Sequence, residues 1–135
     1  MASAGEIVVT LPGGRRVDAK VGTHTVRTDQ PLSFGGEDTA PSPFQLFLAS
    51  IGTCAGIFVQ GFCAKRQIPH DRIQIRERVQ VDEKGNLTTV DLDIEVPPDF
   101  PEQYRDALVR VANQCSVKQA IAAPPQFAVR TIVAG

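Results

Sequence analysis

Short runs of alternating apolar and polar residues open this chain. Three such runs, at residues 7–11, 15–20 and 23–28, are separated by turns that contain glycine or proline. Alternation with a period of two is typical of strands with one buried face, so we predict a meander of three strands. Residues 29–42 combine glycine, proline and polar side chains and are predicted to form a loop.

The second pattern is a long apolar stretch that has no charged residue between Asp38 and Lys65. Residues 43–66 predict a single helix that is apolar on nearly every side, with Ser42 as its N-cap. Such a helix is about 36 Å long, close to the diameter of a monomer of this size. It could span a bilayer, but polar residues and three glycines interrupt it. We therefore predict no membrane span and a second copy of the chain that covers the helix.

A hairpin is the clearest pattern in the second half, at residues 73–96. Its two alternating runs flank a polar turn, which sets the pairing of the strands. With the turn at its centre, Arg76 faces Asp93 and Arg78 faces Asp91. Opposite charges then pair on the solvent face while the apolar faces align.

The remaining residues predict two helices and a strand. Asp99 is expected to cap a helix that includes residues 104–112, and residues 115–121 predict a further helical turn. Residues 126–133 predict a final strand. The order of three strands, helix, two strands, helix and strand indicates an α+β fold.

Size and composition narrow the class of protein. The chain has 135 residues, which predicts a single domain over residues 1–135. Its net charge of −1 provides no general attraction to nucleic acid. The N-terminus lacks the features of a secretion signal, and three cysteines do not make a disulfide framework, so we predict a reducing, cytoplasmic location.

The cysteines are the candidates for chemistry. Cys54 lies near the middle of the long helix, and Cys115 starts the short helical turn, where backbone N–H groups favour a thiolate. Cys63 falls on the opposite side of the helix from Cys54 and is predicted to be core. Two interpretations of Cys54 stay open: a small buried hydrophobe, or a peroxidatic thiol whose sulfenic acid Cys115 captures. His24 and His70 share no metal-ligand spacing with a cysteine or an acid, so no metal site is predicted.

Two motifs carry a resemblance to a known family. Residues 41–54, PSPFQLFLASIGTC, and residues 115–121, CSVKQAI, resemble the OsmC/Ohr family of bacterial osmotically inducible and organic-hydroperoxide-resistance proteins. The resemblance implies an OsmC-like fold, an intertwined homodimer with long central helices and antiparallel sheets. It also implies reduction of organic hydroperoxides in oxidative stress defence, without a cofactor. Cys54 then corresponds to the peroxidatic cysteine and Cys115 to the resolving one, and a dithiol reductant restores both.

One residue of the family pattern is missing. Catalytic members carry a glutamate ten residues before the first cysteine, paired with an essential arginine, and this chain has Phe44 there. Arg15 and Arg27 are the candidates for the arginine, because a nearby positive charge favours a thiolate. Glu77 is a candidate for the missing carboxylate, since it alone is charged on the apolar side of the hairpin. A glutamate at an edge or interface, paired with an arginine, is the alternative for Glu77.

The missing glutamate also leaves a second function open. The fold could hold an apolar small molecule in a pocket beneath Phe44, Phe47 and Phe58, with cysteines that no longer react. A Cys54 pKa well below 8.5 favours the enzyme, and a pKa at or above that value favours the binding protein.

Overall fold

Residues 5–135 are described by a computed structural model and form an α+β fold, as predicted. The elements in chain order are β1 Ile7–Gly13, β2 Arg16–Val21, β3 His24–Thr28, α1 Pro43–Lys65, β4 Gln74–Val81, β5 Leu87–Glu95, α2 Arg105–Ala112 and α3 Ser116–Ala122. Short 3₁₀ turns lie at Leu32–Phe34 and Glu102–Tyr104. The chain divides into two compact units, one that ends at Ala49 and one over Ser50–Gly135.

The first unit contains an antiparallel sheet with the strand order β1-β2-β3. The three-strand meander predicted from alternation is therefore confirmed. Buried Asp29 follows β3 and organises the loop before α1. Its carboxylate accepts hydrogen bonds from the backbone N–H of Gln30 at 2.7 Å and of Thr39 at 3.1 Å, and from the Thr39 hydroxyl at 2.7 Å. These bonds, led by that of the hydroxyl, lower the pKa of Asp29 to about 2.

The long helix begins where the sequence predicts. The backbone N–H of Gln45 donates to the Ser42 hydroxyl at 3.3 Å, and the N–H of Ser42 donates back to the Gln45 side chain at 2.9 Å. This reciprocal pair satisfies two N–H groups at the helix start. The helix is long and apolar enough to cross a membrane, a criterion that the core helix of a soluble protein also meets.

The core of the second unit is built on one face of α1. Its buried residues are Ala55, Val59, Phe62 and Cys63 of α1, together with Phe100, Leu108 and Ala112. The α1 positions recur at helical spacing, so one stripe of the helix faces the hairpin and α2. Cys63 is fully buried in this core, which confirms its predicted place.

The hairpin has the predicted register but a different ion-pair pattern. Arg76 lies opposite Asp93 and Arg78 opposite Asp91. The salt bridges run diagonally, however, from Arg76 to Glu95 at 2.8 Å and from Arg78 to Asp93 at 2.6 Å. Long side chains reach the diagonal neighbour as readily as the direct one. Both pairs are exposed, so each contributes little to stability.

Two predictions for the last third of the chain are wrong. Asp99 does not cap α2, because the helix begins after a 3₁₀ turn. The Asp99 carboxylate instead accepts hydrogen bonds from Arg72 at 2.8 and 2.9 Å. Residues 126–133 form no strand within the described chain, and Phe127 and Val129 are 85% and 96% exposed. Alternation produces a strand only where another strand offers an edge for hydrogen bonding.

Candidate functional site

The structure brings together two thiols that are 61 positions apart in the sequence. Cys54 is half-buried on α1, and Cys115 is buried at the N-cap of α3. The two thiols lie close enough for each to shift the pKa of the other. Cys115 Sγ also lies 4.0 Å from the carbonyl oxygen of Ile51, one turn before Cys54 on α1. The start of α3 is therefore seated directly against the middle of α1.

Ser116 forms the exposed side of this thiol pair. Its hydroxyl oxygen lies 3.6 Å from Cys54 Sγ. Ser116 is exposed, whereas Cys115 is only 1% exposed, so the Cys54 sulfur has a polar, open side and a closed, buried side. Ser116 and Val117 belong to the motif at residues 115–121, but neither was predicted to act on Cys54. The available signal was their position in the first turn of a helix, next to Cys115.

The two thiols differ in acidity. The pKa of Cys54 is lowered to about 7, first by a hydrogen bond from the backbone of Val117 and then by bonds from Cys115 and Ser116. Burial raises the pKa of Cys115, and its hydrogen bond to Cys54 raises it further. The Lys118 N–H, 3.4 Å from the Cys115 sulfur, offsets this only in part. Cys54 is thus the more acidic thiol of the pair and Cys115 the less acidic one, and the Cys115 thiol donates to the Ile51 carbonyl oxygen.

This arrangement corrects one detail of the sequence analysis. The N–H groups at the start of α3 were expected to favour a thiolate at Cys115. They favour one at Cys54 instead, because burial of Cys115 outweighs the hydrogen bond that its sulfur accepts.

Glu77 lies on another side of α1. Its Oε1 is 2.6 Å from the point that a β-carbon of Gly52 would occupy, and its Oε2 is buried without a hydrogen-bond partner among residues 5–135. Burial raises the pKa of this carboxyl. Residues two positions apart on a helix point about 200° apart, so the Gly52 side of α1 is not the Cys54 side. Within one chain, Glu77 is not brought to the Cys54 thiolate.

The two candidate arginines belong to the first unit. Arg15 stands in the turn between β1 and β2, and Arg27 lies on β3 opposite Asp18. Both are exposed. The interactions that lower the pKa of Cys54 are hydrogen bonds from Val117, Cys115 and Ser116 rather than the charge of an arginine.

The remaining candidates stay outside the thiol pair. His24 and His70 are exposed. Residues 5–135 contain no cluster of three or more His, Cys, Asp or Glu that could hold a metal ion. Burial raises the pKa of Cys63, as expected for a thiol that serves as a small core side chain.

The chain is similar to proteins of known structure and to one family model. The family model for OsmC-like protein matches residues 35–130. Among solved structures, a Psychrobacter arcticus protein assigned to osmotic stress and detoxification response has a TM-score of 0.76 at 17% identity, covering 89% of this chain and 90% of its own. The OsmC-like protein from Mycoplasma pneumoniae has a TM-score of 0.72 at 12% identity, covering 92% and 91%. An organic hydroperoxide resistance protein from Elizabethkingia anophelis has a TM-score of 0.61 at 22% identity, covering 92% and 93%. No curated protein matches the sequence.

Proposed function

This chain belongs to the OsmC-like protein family, and on that premise we propose that it is a cysteine-based peroxidase that reduces organic hydroperoxides. The observation that carries the proposal is the contact between an acidic, half-buried Cys54 and a protonated, buried Cys115. The family and the organic hydroperoxide resistance protein among its structural relatives support a redox role in stress defence.

The first step uses the Cys54 thiolate. Its sulfur attacks the terminal oxygen of the hydroperoxide, a sulfur–oxygen bond forms, and the oxygen–oxygen bond breaks. Cys54 becomes a sulfenic acid and the alkoxide leaves, taking a proton from water to give the alcohol. Near neutral pH a large fraction of Cys54 is ready to attack, because its pKa is about 7.

The second step uses Cys115. Its sulfur attacks the sulfenic sulfur of Cys54, a disulfide forms, and water leaves with the thiol proton. Because Cys115 lies beside Cys54, this step competes well with a second peroxide that would over-oxidise Cys54. A dithiol reductant then returns both cysteines to the thiol form by disulfide exchange. A reducing cytoplasm supplies such a reductant, and we propose that location.

We propose that the active form is a homodimer, which covers the exposed apolar side chains of the chain. Ile7, Leu11, Ile57 and Phe127 are 59%, 80%, 66% and 85% exposed. Arg15 and Arg27, from either copy, are the candidates to pair with the thiolate, and Glu77 is the candidate carboxylate. Light scattering tests the dimer, and Arg15→Ala and Arg27→Ala test the cation through the rate of thiol oxidation.

The central experiment counts free thiols after excess organic hydroperoxide. The reduced wild type is expected to lose two of its three thiols per chain. Cys54→Ser removes this loss, Cys115→Ser leaves a sulfenic acid that a dimedone probe labels, and Cys63→Ser still loses two thiols. If the wild type keeps all three thiols, the peroxidase proposal fails.

An apolar binding function is the second candidate. Phe44 stands where catalytic members of the family carry glutamate, and its ring centroid lies 5.8 Å from that of Phe47. Both rings are exposed. Slow thiol oxidation together with a co-purifying apolar molecule, detected by mass spectrometry, would favour this function over the first.

A further inference from the structure

Ser116 is free of the role that serine usually has at a helix start. A serine there most often caps the helix by accepting a backbone hydrogen bond. In α3 this role belongs to the preceding residue, since Cys115 is the N-cap and its sulfur accepts from the Lys118 N–H. Ser116 is therefore the first residue inside the helix, and its hydroxyl oxygen lies within hydrogen-bond distance of Cys54 Sγ, at 3.6 Å.

The contact is on the side of the sulfur from which a substrate can approach. Cys115 closes the buried side of Cys54, whereas Ser116 is exposed. A hydroxyl carries one proton to donate, and a thiolate can only accept. A donor beside the thiolate stabilises the charged form and restrains the direction of the side chain.

We propose that the Ser116 hydroxyl is a catalytic group of this site, which donates a hydrogen bond to the Cys54 thiolate and orients it toward the hydroperoxide. The proposal rests on the proposed peroxidase function. On this proposal, a residue of α3 provides part of the stabilisation of the Cys54 thiolate that was expected to come from an arginine. Among the described residues, Cys115 is the titratable group that shifts the pKa of Cys54. A titration of Cys54 is therefore interpreted together with the ionisation of Cys115.

The first test measures the reactivity of the Cys54 thiol without hydroperoxide. The rate at which iodoacetamide alkylates Cys54 is measured against pH, with the labelled peptide identified by mass spectrometry. In Ser116→Ala the midpoint of this profile is expected to rise by about half to one pH unit, the effect of losing one hydrogen bond of ordinary strength at an exposed position. Ser116→Thr, which keeps the hydroxyl, restores the midpoint. Gln119→Ala, a neutral change elsewhere on α3, leaves it unchanged.

A second variant tests independently whether residue 116 lies beside the Cys54 sulfur. Ser116→Asp places a negative charge beside the thiolate and is expected to raise the midpoint further than Ser116→Ala does. Circular dichroism and the melting temperature establish that each variant is folded. The proposal is overturned if Ser116→Ala leaves the midpoint unchanged, or if Ser116→Thr shifts it as far as alanine does.

Reaction with hydroperoxide separates this proposal from the function on which it rests. At pH 7 the second-order rate of Cys54 oxidation is expected to fall about twofold to fivefold in Ser116→Ala, and the difference shrinks at higher pH as the thiol ionises. If the wild type does not react with hydroperoxide but the alkylation midpoint still shifts, the peroxidase proposal fails and the hydrogen bond stands. If the wild type reacts and Ser116→Ala matches it in both assays, the role of Ser116 fails alone.

Discussion

The Glu77 carboxylate occupies the space beside Gly52 that a β-carbon would otherwise fill. The distance from Oε1 to that point is 2.6 Å, which is too short for a real contact. Glycine in the middle of a helix costs about 1 kcal/mol relative to alanine. Glycine is nevertheless required at this position, because the missing side chain makes room for a carboxylate from β4.

Gly52→Ala should therefore fail to produce the stabilisation that alanine normally brings to a helix. The new β-carbon displaces the end of Glu77, so the free energy of unfolding stays level or falls. In a Glu77→Ala background the same change should stabilise by about 1 kcal/mol. Urea unfolding of the four proteins measures this coupling. Gly61→Ala is the control, since nothing lies within 4 Å of its added β-carbon; equal effects at both glycines would contradict the packing of Glu77.

Glu77→Gln is expected to change how stability depends on pH. Burial raises the folded-state pKa of Glu77 above the usual 4.5, so the folded chain holds this proton more tightly than the unfolded chain does. Stability contributed by the protonated form is complete below pH 4.5 and is lost as the pH rises through the folded pKa. Glutamine removes this loss and should raise the free energy of unfolding near pH 7.5 by about 1 kcal/mol. Parallel curves for the two proteins from pH 4 to pH 8 would refute it.

Iodoacetamide should label one cysteine well before the others. Near pH 7 Cys54 is about half ionised, whereas burial raises the pKa of Cys63 and Cys115. In Cys54→Ser the labelling rate at pH 7 should fall at least about tenfold, while Cys63→Ser keeps the wild-type rate. Peptide mapping identifies the labelled residue, and first labelling at Cys63 would show that the thiol environment is misassigned.

Asp29→Asn should loosen the loop before α1. The Asn amide can present one oxygen to either Gln30 or Thr39, so one of these donors loses its acceptor. We expect a lower melting temperature and faster amide exchange at Thr39. Asp38→Asn, an exposed change on the same loop, is the control.

Acid also reports on Asp29. Its folded pKa of about 2 lies below the ordinary 3.8, so the stability that its carboxylate contributes is present above pH 3.8 and is lost as the pH falls toward 2. Wild type should lose stability in this interval faster than Asp29→Asn does. The same slope in both proteins would contradict the role of the carboxylate.

Local patterns in the sequence were enough for most of the elements. Ser42 predicted the start of α1, and alternation around the hairpin turn predicted that Arg76 faces Asp93, since both depend on neighbours in sequence. Asp99 was misplaced because its ion pair with Arg72 depends on tertiary folding. The predicted strand at residues 126–133 was wrong for a similar reason, since the alternation of residues does not show whether the edge of another strand is available for pairing.

The chemistry of the site was less accessible from the sequence. The motifs predicted that Cys54 and Cys115 act together, and in the structure the two thiols lie close enough to affect each other's pKa. Which sulfur is more acidic depends on the burial of Cys115 and on N–H groups of α3 that reach across to α1. Spacing carries no information about either, and the same holds for the direction of the Ser116 hydroxyl.

The contact between α1 and α3 joins the ends of a segment that includes the whole hairpin and α2. A covalent bond between Cys54 and Cys115 would close a ring of about sixty residues, which lowers the entropy of the unfolded chain by an amount worth about 4 kcal/mol. A chain that has met an oxidant would then melt at a higher temperature than one that has not. The melting temperature would then record whether the protein had been oxidised, and melting curves measured with and without reductant would show the difference.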